Sequence, residues 1–362
     1  MMQGTTTIHV VQHLSPGGLE ALALNMLQFS SPTNQVMIVS LEGNKEAAIK
    51  QWPRLAQVEK QLIFLNKPSG YSLNTLSKLY QLFVMLKPNV VHTHHIGPIL
   101  YGSIAARLAN VKHRIHTEHD AWHLSNPKHR FLQDLALKLG KPRLVADASL
   151  VRDQIKQYFT HQSVTVIKNG IDSASFKPGS QILARQSLGL ATSPKFIGTA
   201  GRLEQVKGHD ILINALCFLP NNIQLVIAGD GSQREALQQQ ARQLGLNHRV
   251  TFLGLVNDMP KFYQSLDLFC LPSRSEGFPL STLEAQSCGI ATVATDVGAT
   301  KETLCPKTGQ LAPAENPKLL SKALRKALSS AYQESPREFI VKNNDIRNMV
   351  LAYEALTEEK CA

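Results

Sequence analysis

Aromatic residues are scarce in this chain, 6% of 362, and they are not interleaved with its basic residues. With no recognised nucleic-acid motif beside them, this excludes a nucleic-acid binder. No apolar run reaches the roughly 20 residues of a membrane span. The start, MMQGTTTIHVVQHLSPGG, lacks the basic-then-apolar order of a signal peptide. A cytoplasmic protein is expected. The five cysteines, Cys217, Cys270, Cys288, Cys305 and Cys361, form no CxxC pair and are odd in number, which leaves neither a disulfide framework nor a zinc knuckle. No DxD metal motif, internal repeat or low-complexity tract is present.

What is present is globular: 43% hydrophobic and 18% charged residues, in a chain too long for one ordinary core and suited to two domains. The net charge is +11 and uneven. Up to residue 176 there are 18 Lys and Arg against 10 Asp and Glu, a surplus of 8; the remainder carries 20 against 17, a surplus of 3. A basic first half suits phosphorylated ligands or anionic lipid.

Short β-branched runs alternate with amphipathic stretches throughout. TTIHVVQ, QVMIVS, QLIFL, NVVHTH, HRIHTE, RLVADA and VTVIKNG read as strands in the first half, and KFIGTAG, IQLVIAG, RVTFLG, LDLFCLP and IATVAT in the second. Helix patterns such as LEALALNMLQF, SLNTLSKLYQLFVMLK and QREALQQQARQLG lie between them. This order predicts an α/β protein with parallel sheets covered by helices on both faces. The Ser-, Gly-, Pro- and Lys-rich segment 172–195 divides the chain into two Rossmann-like halves. Ligands of such sheets bind beyond the carboxyl ends of the strands, so residues just after strands are the informative ones.

After KFIGTAG, GRLEQVKGHD offers Arg202 and Lys207 beside a helix start, two cations suited to a diphosphate. Those charges alone also fit an exposed loop. Gly229 and Gly231 follow IQLVIA, but Arg234 stands where G-x-G-x-x-G needs its third glycine, which argues against a nicotinamide or flavin site. In SRSEGFPLSTLEAQSCG, Pro279 fits a first helical position, with Glu276 in the loop before it and Glu284 on the helix. Glu284 suits the paired hydroxyls of a ribose, and the amides of Gly277, Phe278 and Leu280 suit phosphate or sugar oxygens. The bland alternative is two glutamates favoured by the macrodipole.

In the first half, HLSPGGLEALAL reads as strand, Gly17-Gly18 turn and helix. Eleven of the 13 histidines lie before residue 176. On a helix His113, His116, His119 and His123 would resemble a zinc face; on a strand they point to opposite sides. The strand reading makes them polar lining, and no metal is expected. NPKHRFLQDLALKLGKPR is a basic amphipathic stretch that fits either a helix packed on its sheet or the cytoplasmic face of a membrane.

EGFPLSTLE matches the E-x7-E motif of retaining GT-B glycosyltransferases, and LPSRSEGFPLSTLEAQSCGIATVATDVGATKE resembles glycosyltransferase family 4 (glycosyl transferases group 1). VIKNGIDSASFKP, GRLEQVKGHDILINAL, LVIAGDGSQREAL with RVTFLGLV, and DIRNMVLAYEAL resemble further family segments in order along most of the chain. The resemblance implies a GT-B fold, two Rossmann-like domains facing across a cleft: an acceptor-side domain over 1–175, a donor domain over 176–340, and a terminal helical segment, 341–362, returning to the first domain. It implies that Arg202 and Lys207 hold the donor diphosphate, Glu284 the ribose and Glu276 the transferred sugar. Gly17, Gly18 and Gly231 line the donor site, Val250 to Gly254 pass near the base, and His119 bonds the sugar or a reaction-centre oxygen. The implied activity is retaining transfer from a nucleoside-diphosphate sugar to a saccharide or lipid-linked acceptor in cell-surface polysaccharide or lipopolysaccharide assembly, without cofactor. The rivals are a nucleotide-sugar 2-epimerase and a non-catalytic nucleotide-sugar-binding protein. Ala148 and Ser149 stand where the family usually has Ser-Glu.

Overall fold

The computed structural model describes residues 4–160, 162–330 and 334–358; Cys361 lies outside them. The chain forms two compact units, one of residues up to Asn169 with those from Ile346 onward, the other Gly170–Asp345. The division falls at 169/170, slightly before the expected 175/176. The segment 172–195 is not a bare linker, since it carries the helix Gln181–Ser187, capped by the Ser180 hydroxyl. Buried Arg185 ties that helix to the second unit, with Nη2 2.7 Å from Asp267 Oδ2 and Nε donating to the Ser265 carbonyl.

Among the described residues the first unit holds seven strands: β1 (Thr6–Val11), β2 (Gln35–Ser40), β3 (Leu62–Phe64), β4 (Val90–His94), β5 (His113–Glu118), β6 (Arg143–Ala146) and β7 (Val164–Val166). They pair in parallel in the order 3-2-1-4-5-6-7, so the order reverses between β1 and β4. Continuous β-branched runs form these strands because both faces are covered. One face packs on the helix Leu73–Leu86 through Leu79 and Phe83. The other packs on Gly18–Phe29 and Ile346–Glu358 through Leu22, Met26, Met349 and Tyr353.

The second unit holds β8 (Lys195–Ala200), β9 (Ile223–Ala228), β10 (Val250–Gly254), β11 (Leu268–Leu271), β12 (Thr292–Thr295) and β13 (Gln310–Ala312), parallel in the order 10-9-8-11-12-13. The order reverses between β8 and β11. Two apolar clusters fill its faces, one beneath helices His209–Leu216 and Pro317–Ser329, the other around Phe262, Tyr263 and Phe269.

The closing helical segment is divided. Pro336–Asn344 stays with the second unit, where Arg337 donates to the carbonyls of Ser173, Phe176 and Ser287. Ile346–Glu358 belongs to the first, with Asn34 Nδ2 2.9 Å from Glu354 Oε1 and Arg143 Nη1 2.9 Å from the Leu356 carbonyl.

Candidate functional site

In the second unit Arg202, Lys207 and Glu276 follow β8 and β11, the strands at the reversal of order, where doubly wound sheets bind ligands; in the first, Gly17 and Gly18 follow β1 at the reversal, while His119 follows the next strand, β5. In the second unit β8 leads into Arg202 and the short turn Gln205–Lys207, while β11 leads into Glu276. Lys207 Nζ lies 2.7 Å from Glu276 Oε1, which also accepts from Ser273 Oγ at 2.6 Å. Glu276 is buried and Lys207 half-buried, whereas Arg202 is exposed. The structure thus joins two residues 69 positions apart.

Sequence reasoning missed what fixes this pair. Arg274 grips Asp210 with both ends of its guanidinium, at 2.8 and 2.7 Å, and donates at 2.6 Å to the Gln205 carbonyl. Its own amide donates to Val206. Arg274 therefore staples the loop after β11 to the loop after β8, a fork geometry suited to Arg. Its pairing with Asp210 lowers that carboxyl's pKa below the usual range, against the effect of burial. Nothing local in the sequence links positions 64 apart.

Pro279 is the N-cap residue of helix Leu280–Ser287, one place earlier than expected. Its ψ of 118° is extended, leaving Leu280 the first helical residue with an amide free of any carbonyl four residues back. Glu284 accepts from Tyr263 OH at 2.7 Å. Burial raises the Glu284 carboxyl's pKa, and the Tyr263 bond acts the other way. Tyr263 is fully buried between Phe176, Phe262 and Phe269, so it holds the carboxylate rigidly.

Gly229 has φ +134° and a Cβ there would stand 1.9 Å from the Gly201 carbonyl oxygen. At Gly231 a Cβ would stand 2.6 Å from the Leu203 oxygen. Both glycines let the loop after β9 lie against the Arg202 loop.

In the first unit, the Gly17-Gly18 pair is a helix start. Gly17 is an extended N-cap, and Glu20 Oε2 occupies the place its Cβ would take, at 2.3 Å. His119, just beyond β5, is buried with both ring nitrogens engaged: Nε2 lies 3.1 Å from His94 Nδ1, and Nδ1 lies 3.3 Å from Asp147 Oδ2. Burial lowers its pKa to about 4, so the ring is neutral near pH 7. A sugar hydroxyl reaches Nε2 only by displacing His94. Asp147 also accepts from Asn169 Nδ2 at 2.8 Å, and burial raises its pKa.

The strand reading of HRIHTE holds, and His116 and His119 diverge. His116 pairs with Glu118 at 2.8 Å on one face, with Gln133 Nε2 donating to the same carboxylate at 2.6 Å. His119 faces the other side. His113 stands at the opposite end of β5 and His123 in the turn Trp122–Ser125.

Residues 180–345 match the family described as Glycosyl transferases group 1, and residues 16–175 match Glycosyltransferase Family 4. A D-inositol 3-phosphate glycosyltransferase of Segniliparus rotundus is 30% identical over 220 residues, 58% of this chain and 46% of that protein. The lipopolysaccharide core biosynthesis mannosyltransferase LpsB of Rhizobium meliloti is 34% identical over 185 residues, 48% of this chain and 52% of its own length. The chain spans about half the length of these curated relatives. Anabaena HepE, crystallised in complex with UDP, matches with a TM-score of 0.83 at 22% identity, covering 98% of this chain and 100% of that one. WaaG, a glycosyltransferase involved in lipopolysaccharide biosynthesis, matches with a TM-score of 0.71 at 17% identity over 98% and 100%. These likenesses show the fold, the two Rossmann-like domains of the GT-B class.

Proposed function

We propose, from the premise that this chain belongs to the glycosyl transferases group 1 family, that it transfers a sugar with retention from a nucleoside diphosphate to an acceptor hydroxyl. The observation that carries the reading is the Lys207–Glu276 pair, held by Arg274 where the loops after β8 and β11 meet. Lys207 and Arg202 neutralise charge on the leaving diphosphate, and the amides at the start of helix Leu280–Ser287 add fixed dipoles, so no divalent ion is needed at that place. Glu276, buried and aligned by Ser273, accepts from hydroxyls of the sugar. Retention is a front-face step in which the leaving phosphate helps to take the acceptor proton. The UDP complex of HepE makes UDP-sugars the first donors to try, and LpsB points to a saccharide acceptor in surface-glycan assembly.

Titration calorimetry with UDP, GDP and ADP tests the donor site. One nucleotide is expected to bind, and Glu284→Ala to weaken it by about 1.5–3 kcal/mol, the range for hydrogen bonds to a charged group. Tyr263→Phe keeps the carboxylate but frees it, so a smaller loss is expected. Because burial raises the Glu284 pKa, affinity falls as acid protonates the acceptor. Unchanged affinity in Glu284→Ala rejects the ribose role.

Membrane contact forms part of the proposal. Helix Pro127–Gly140 packs inward through Gln133, Ala136, Leu137 and Gly140. Outward it exposes Phe131, Leu135 and Leu139, a stripe at four-residue spacing flanked by Lys128, Arg130 and Lys138. Among the described residues no helix is long and apolar enough to cross a membrane, so this face would lie at the surface. Flotation with anionic vesicles should recover the protein, less so with added salt or in Phe131→Ser. No recovery at low salt removes the idea.

A further inference from the structure

The histidines that line the first unit are not scattered. β1 and β4 pair in parallel with His9 opposite His92, and alternation along β4 puts His94 on the same face as His92. Beyond them, His94 pairs with Thr117 of β5 and Thr117 with Val145 of β6. His119 and Asp147, just past the ends of β5 and β6, join that face through hydrogen bonds, His119 to His94 and Asp147 to His119. Register and these bonds together build a row of side chains from β1 to the end of β6.

His9, His92 and His94 are each at most 2% exposed, and one ring nitrogen from each lies within 4.8 Å of the others. We propose that these three imidazoles bind one divalent cation of the zinc class. His9 Nδ1 and His94 Nε2 are 3.3 Å apart, about the spacing that a tetrahedral ion with bonds of about 2.0–2.1 Å sets between its ligands. Three imidazoles without thiolate suit Zn2+, Co2+, Ni2+ or Cu2+ rather than Mg2+ or Ca2+.

The outer contacts fit the same assignment. With His94 bound through Nε2, its Nδ1–H donates to His119 Nε2, and His119 Nδ1–H donates to Asp147 Oδ2. Every proton then has one direction, from ion to carboxylate, the arrangement that orients metal-bound histidines. His92 Nε2 is engaged by Thr117 Oγ1 at 2.8 Å, itself 3.0 Å from Tyr353 OH, which leaves the other His92 nitrogen for the ion. His9 and His92 also form part of the wall of a cavity of about 460 Å³, with Glu354 and Glu358 among its lining. That cavity gives a cation an entry path and room for a fourth ligand. Bound there, the ion would pin β1 to β4 and fix His119 through His94.

Untagged full-length protein, stripped with chelator, should be titrated with Co2+ and then Zn2+. One Co2+ per chain with the strong visible bands of a low-coordinate site, displaced by Zn2+, is expected. His9→Ala/His92→Ala should lose the bands while His113→Ala keeps them. If the double variant does not fold, X-ray absorption at the zinc edge of the wild-type protein decides the matter: three imidazoles in the first shell support the site. Weak six-coordinate bands, binding that survives the double substitution, or fewer than three imidazoles overturn it.

Discussion

Lys207→Ala should lower turnover by about 10²–10³-fold, the usual effect of removing one preorganised group that stabilises charge in a transition state. The size follows from the setting. The ammonium is not on a free surface chain; Glu276 holds it at 2.7 Å, and Glu276 is itself held by Ser273. A cation fixed before the reaction spends little reorganisation when the diphosphate leaves. Stability should fall much less, about 1–3 kcal/mol, because the buried Glu276 loses one partner and keeps another. Lys207→Arg restores charge without the point geometry, so partial recovery of turnover is expected. The measurement is nucleotide release at saturating donor, with thermal melting alongside. Full turnover in Lys207→Ala would remove Lys207 from the leaving-group role.

Arg274 shows why some of this site could not be read from the chain. E-x7-E and the segment GRLEQVKG are local strings, so Arg202, Lys207, Glu276 and Glu284 stand out at once. Arg274, two residues before the first glutamate of E-x7-E, carries no local signal, and only the fold brings Asp210 against it. Tyr263 gives no signal either, being one aromatic in a helix 21 residues before the carboxylate it holds. The histidine triad is the extreme case: His9 lies 85 positions from His94, and only strand register joins them.

The fold divides in the same way. Twelve strands carry β-branched or apolar runs and were legible from them. β13, Gln310–Ala312, is three residues with no alternation, and it exists because β12 offers an open edge. The helix Gln181–Ser187 hides in a stretch whose composition suggests a linker; a serine cap and the buried Arg185 make it a helix. Composition reports local preference, and tertiary contact overrides it in both places.

Gly298→Ala should be among the most damaging single changes in the second unit, although the position touches no predicted ligand. Gly298 has φ +54°, and a Cβ there would stand 1.8 Å from the Glu276 carbonyl oxygen and 2.8 Å from its carbon. The next residue, Ala299, donates its amide to the Gly277 oxygen at 3.0 Å. The turn after β12 is thus the floor on which Glu276 and Gly277 rest. No rotamer relieves a collision with backbone, so either the turn or the Glu276 loop must move. Gly245 supplies the control, with φ +69° and nothing within 4 Å of its Cβ position. Gly245→Ala should cost about 1–2 kcal/mol, the left-handed penalty alone. Gly298→Ala adds the collision, for a total on the order of 4 kcal/mol and a Tm fall of roughly 10 °C. Nucleotide affinity should drop with it, since Glu276 and the helix-start amides shift together. Equal melting temperatures for the two variants would mean that the turn yields freely and that the Glu276 loop does not depend on it.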